Sequence, residues 1–85
     1  MSNVRIAAIT QRLQTQFSPR ELEVVDDGHN HIGHAGHQGA GHFTVRITAD
    51  AFRGKRLIER HRLVYQAVAD LMGSEIHALA IDARD

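Results

Sequence analysis

Seven histidines and no cysteine among 85 residues set the coordination chemistry open to this chain. Without thiols it forms no disulfide and offers no thiolate, so any thiolate for a soft metal must come from a partner. Four of the seven, His29, His31, His34 and His37, fall between Asp26 and Gly41, interleaved with Gly28, Gly33, Gly36 and Gly39, and His42 follows at once. Glycine leaves the backbone permissive, so imidazoles can converge without side-chain clashes. Neutral imidazole is a good ligand for zinc, copper, nickel and iron. The spacing does not match a closed structural zinc site with four dedicated ligands. Two readings therefore stand for the segment: a physiological metal site, and a solvated polar hairpin tip of histidine-rich composition. A connection of this length without secondary structure is usually functional or disordered.

The remaining chemistry sits in the C-terminal half. His77 is the second residue of a short apolar run, Ile76 to Ile81, and reads either as a ligand or as a hydrogen-bonded strand-boundary residue. His61 falls on an apolar stripe with Leu57, Val64 and Val68, which favours a satisfied core or near-core group. It could instead orient a ligand histidine, and Tyr65 one turn on could close the same polar pocket with its hydroxyl. Arg53, Lys55, Arg56, Arg60 and Arg62 place half of the ten basic residues within ten positions. They read as a solvated helix start, as phosphate contacts, or as a docking surface for carboxylates.

The bulk figures narrow the classes. Ten basic and ten acidic residues cancel, which argues against whole-molecule attraction to nucleic acid or an anionic membrane. One domain, residues 1–85, is expected at this length. There is no apolar run of bilayer-spanning length and no secretory-signal pattern at the N-terminus, so a soluble cytoplasmic protein is expected. No nucleophilic cysteine, serine–histidine–aspartate signature or phosphate-binding glycine motif is present, and no enzyme is expected.

Certain elements must position these groups. Ile6, Ile9, Leu13 and Phe17 make one apolar helical stripe, with Ser2 or Asn3 as N-cap and Pro19 as the stop, giving a helix over about residues 3–16. Glu21 to Val24 alternates as a half-buried strand, and Phe43, Val45 and Ile47 alternate with Thr44, Arg46 and Thr48 as a second. These two pair antiparallel across residues 27–41. Apolar spacing from Leu57 to Leu71 and Met72 predicts a second helix closed by Gly73, and Ile76 to Ile81 a third strand, with His77, Leu79 and Ile81 on one face. The order α-β-β-α-β predicts an α+β fold. It is a three-stranded mixed sheet covered on one face by helices, with a right-handed crossover between the last two strands.

Several runs together resemble the BolA family: Phe52, Gly54 and Lys55; Arg60-His61-Arg62-Leu63-Val64-Tyr65; Ile76-His77-Ala78-Leu79; Glu23-Val24-Val25-Asp26-Asp27; and His42-Phe43. The resemblance covers nearly the whole chain. It implies the same architecture, similar to a type II KH domain, with a short helical turn near residues 51–54. It implies a [2Fe-2S] cluster shared with a monothiol glutaredoxin and glutathione, held on this side by His77 and one histidine of the glycine loop. Alignment on Asp26-Asp27 and His42-Phe43 places His31 at the loop position, with His34 as the competitor. The isolated chain would carry no cofactor and be a monomer. The resemblance also implies DNA binding as a second activity, for which the basic 53–62 segment is the expected surface. The turn Arg53-Gly54-Lys55-Arg56 has one glycine where KH domains have two.

Overall fold

The structure, a computed structural model, describes residues 3–27 and 41–85. Helix α1 (Asn3–Phe17) is followed by strands β1 (Glu21–Asp26) and β2 (Gly41–Thr48), helix α2 (Leu57–Ala67) and strand β3 (Ile76–Arg84). One-turn 3₁₀ helices, Asp50–Phe52 and Ala69–Leu71, flank α2. The sheet order is β1-β2-β3, with β1 antiparallel and β3 parallel to the central β2. The expected element order and mixed three-stranded sheet are the observed ones, down to the short helical turn before α2. Among the described residues no helix is long and apolar enough to cross a membrane.

Local chemistry accounts for the boundaries. In α1, Ile9, Leu13 and Phe17 recur every four residues and are buried, so one stripe of the helix lies on the core. Pro19 lacks an amide hydrogen and disfavours helix at the residue before it. Ser18 accordingly turns to φ 46° while its N–H still donates to Gln14 O at 3.0 Å. Along β2, Phe43, Val45 and Ile47 are buried and the intervening residues are not. That is the alternation of a strand with one covered face. Opposite them stand Leu22 and Val24 of β1 and Leu79, Ile81 and Ala83 of β3. Phe52 is fully buried, its ring centre 5.0 Å from that of Phe17. Val64, Val68 and Leu71 complete the core.

Two expectations about the second helix need correction. It stops at Ala67, and the Ala69–Leu71 turn carries the apolar pattern on. A 3₁₀ turn has three residues, so Leu71 falls beneath Val68 and stays buried. Gly73, at φ 89°, therefore closes the 3₁₀ turn rather than α2, and its N–H donates to Ile76 O at 2.8 Å. Leu57 is not on the core stripe: it is 64% exposed, beside Ile58 at 54%. It opens the helix just beyond the Gly54 turn, outside the core cluster of the described residues. Helix α1 is also tied to the segment leading into β3, through Arg5 Nε to Glu75 Oε1 at 2.9 Å and Arg12 Nη2 to Asp70 Oδ2 at 2.8 Å.

Candidate metal-ligating and docking sites

The β2–β3 ladder is regular except at one point. Gly41 pairs with Ile76, but the next residue, His42, pairs with Ala78. His77 is the extra residue of a bulge, a device that re-aims a side chain at the end of a ladder. Ile76 and Leu79 are both buried while His77 between them is exposed. The expected alternation of His77 with Leu79 and Ile81 is thus broken: the bulge takes the imidazole out of the covered face. Two apolar residues flanking a bulge can both reach the core only if the extra residue turns outward.

The outward turn brings His77 beside His42, with ring centres 5.2 Å apart and planes inclined by 36°. His42 is half-buried on the uncovered face of β2, the face it shares with Thr44 and Arg46. The Asp27 N–H donates to His42 O at 2.8 Å, and the Thr44 hydroxyl donates to the Asp27 carboxylate. Gly41 N–H donates to Glu75 O at 3.0 Å. Asp27 and Gly41, the two residues bounding 28–40, therefore both lie at the end of the sheet that carries His77. His31 and His34, with His29 and His37, lie outside the described residues. Sequence reasoning did not assign His42 to the site. Its signal was present in the alternation that puts it on the Thr44 face and in the parallel pairing that starts β3 beside it.

Tyr65 supports this end of the sheet. Its hydroxyl donates to Leu79 O at 2.9 Å, two residues beyond His77. Arg84 O accepts from Ala49 N–H, on the β2 side of the strand, so by alternation the carbonyls of 79 and 83 face the free edge of β3. Side chains of α2 cap both: Tyr65 at Leu79, and Arg60 at Ala83 O at 3.1 Å. The Tyr65 hydroxyl is thus spent on this strand edge and not on a pocket shared with His61. His61 is near-core as its helical phase required, but the expectation of a satisfied group fails: Nε2 is buried and has no hydrogen-bond partner among the described residues.

The basic segment separates into two kinds of cation. Arg60 is folded inward, its side chain 17% exposed, with Nε donating to Lys55 O at 2.9 Å and Nη2 to Asp85 Oδ1 at 3.3 Å. A guanidinium committed to carbonyls of its own fold is less available to a ligand than those of its exposed neighbours. Arg53, Lys55, Arg56 and Arg62 are exposed. Arg53 reaches the carboxylate of Asp50 at 3.1 Å, which also takes an ion pair from Arg20. Gly54, at φ 76°, makes the turn that displays them, a conformation that glycine adopts without penalty.

The α+β fold, the bulged histidine and the exposed basic turn define one class, and comparison with known proteins gives it a family. The family model described as "BolA-like protein" matches residues 13–85, and the chain belongs to the BolA-like family. It is 44% identical over 82 residues to "SufE-like protein 1, chloroplastic/mitochondrial" of Arabidopsis thaliana, covering 89% of this chain but only 22% of that relative. It is 38% identical over 73 residues to "DNA-binding transcriptional regulator BolA" of Escherichia coli (strain K12), covering 86% of this chain and 68% of the relative. The solved BolA domain of SufE1 from Arabidopsis thaliana superposes with a TM-score of 0.80 at 45% identity, covering 92% of this chain and 87% of that one.

Proposed function

We propose that this chain is the imidazole-supplying partner of a monothiol glutaredoxin in iron–sulfur cluster trafficking or iron sensing. The observation that carries the reading is the bulge. It exposes His77 at the sheet end where the histidine-bearing segment 28–40 leaves and re-enters the fold. The donor set fits a shared [2Fe-2S] group. With no cysteine, this chain offers imidazoles alone, and two histidines on one iron are an established ligation that raises the reduction potential. His77 would hold the iron together with His31 or His34, while glutathione and the glutaredoxin cysteine serve the other iron. When bound, the group supplies one-electron redox chemistry and a labile cargo. This chain's part is to present one imidazole from a rigid strand, with the Tyr65 hydroxyl fixing the backbone two residues on. Protonated imidazole cannot bind metal, so acid should release the group.

The test is anaerobic reconstitution of the chain with a monothiol glutaredoxin, glutathione, iron and sulfide. A 1:1 complex with an absorption and circular dichroism spectrum different from that of glutaredoxin alone supports the reading. No complex and an unchanged spectrum refute it.

A second reading, DNA binding by the exposed Arg53, Lys55, Arg56 and Arg62, is favoured by their display on the Gly54 turn and by the printed name of the Escherichia coli relative. Four cations would give a salt-sensitive, largely non-specific affinity.

A further inference from the structure

We propose that His42 and His77 form a preorganised two-imidazole site that holds a divalent transition-metal ion, such as zinc, on this chain without any partner protein. A metal–nitrogen bond of about 2.0–2.1 Å puts a bound ion about 3.2 Å from the imidazole centre. Two imidazoles on one tetrahedral ion then have ring centres about 5 Å apart, against about 6.4 Å for ligands on opposite sides of it. The observed separation is 5.2 Å. The planes are inclined at 36° rather than stacked face to face.

The supporting frame is rigid. His42 belongs to the central strand, paired on both sides, and His77 to the bulge next to it. The strand carrying His77 is held at its free edge by the Tyr65 hydroxyl. The arrangement therefore needs little ordering when an ion arrives, which is what gives a small number of ligands useful affinity. The Asp27 carboxylate, oriented by the Thr44 hydroxyl on the same uncovered face as His42, adds a negative field favourable to a cation. His77 is exposed, so water reaches the two remaining positions of a tetrahedral ion, one more than in open zinc sites, which have three protein ligands; no third metal-ligating side chain joins the pair among the described residues. The site uses His77 but does not rest on the glutaredoxin reading. It differs from it in needing His42 and no loop histidine, and an ion seated there would compete with the cluster for His77.

The experiment is calorimetric titration of zinc chloride into the full chain with His29, His31, His34 and His37 all replaced by asparagine, so that only His42, His61 and His77 remain. Imidazole NMR signals are followed in parallel. One ion per chain is expected, with the His42 and His77 signals moving together and His61 unmoved. In the same background, His42→Ala or His77→Ala should weaken binding by about tenfold or more, the least that losing a direct ligand costs when loss of a supporting partner already costs that much. His42→Gln keeps bulk and polarity and should show the same loss if the alanine variant fails to fold. Absence of zinc binding in the loop-substituted chain overturns the proposal. So does a His42 variant that folds and binds within twofold of its parent, which marks adventitious binding by a single histidine. Because no glutaredoxin is present, either failure leaves the cluster reading standing, and failure of reconstitution leaves this site standing.

Discussion

Replacing Arg60 by alanine separates structure from binding within the basic segment. Arg60 donates to two backbone carbonyls, Lys55 O at 2.9 Å and Ala83 O at 3.1 Å, and reaches the Asp85 carboxylate at 3.3 Å. Hydrogen bonds from a charged donor contribute about 1.5–3 kcal/mol each before exposure is considered. The Asp85 pair is surface-exposed and adds little. Counting the two carbonyl bonds at or somewhat below the bottom of that range, because Arg60 is partly open to solvent, we expect Arg60→Ala to destabilise the fold by about 2–3 kcal/mol. For a domain of this size that is a fall in Tm of roughly 10–20 °C. Lysine keeps the charge but not the fork of donors, so Arg60→Lys should recover less than half of the loss. Arg62→Ala, one position away and exposed, should change stability by no more than about 0.5 kcal/mol. Urea denaturation followed by circular dichroism measures all three. In a DNA-binding titration across salt concentrations, Lys55→Ala with Arg62→Ala should weaken binding and flatten its salt dependence, while folded Arg60→Lys should bind as wild type. An Arg60→Ala chain as stable as wild type would refute the structural role. So would Arg60→Lys that keeps full stability yet loses DNA affinity.

Two further outcomes follow from the fold. Gly54 sits at φ 76° with no atom within 4 Å of an added Cβ, so Gly54→Ala meets only backbone strain and should cost about 1–2 kcal/mol in urea denaturation; a change under about 0.3 kcal/mol would show that the turn relaxes freely. Hydrogen bonding from Arg12 holds the Asp70 carboxyl below the usual carboxylate range, and Arg84 does the same to Asp82. A depressed carboxyl stabilises the fold at pH values above its unfolded pKa, and the contribution fades as pH falls through the lower folded value. Asp70→Asn should therefore be less stable than wild type at neutral pH, with the two melting curves converging below about pH 4; a gap that persists in acid would contradict this.

What could be read in advance depended on the range of the interaction. The α1 stripe, the β2 alternation and the order of elements are local periodicities, and Ile9, Leu13, Phe43, Val45 and Ile47 are buried as those periods require. His77 was legible as a candidate, but its exposure was not. The run 77, 79, 81 looks like a regular strand face, and only pairing with β2 shows that one residue is extra. Arg60 looked like any member of a basic cluster because its partners at Ala83 and Asp85 are more than twenty positions away and one is a backbone carbonyl. Leu57 fitted the helical period, yet a period says nothing about where the core ends. His42 went unassigned for a related reason: its neighbour across the sheet is set by the bulge, not by spacing along the chain.

Substituting His77 in the reconstituted complex asks whether its imidazole is a ligand. His77 is exposed, so His77→Ala should leave the fold and Tm nearly unchanged. Mixed anaerobically with a monothiol glutaredoxin, glutathione, iron and sulfide, the variant should give the spectrum of glutaredoxin alone. A His77→Ala complex with the same visible absorption and circular dichroism as the wild-type complex would contradict the ligand role.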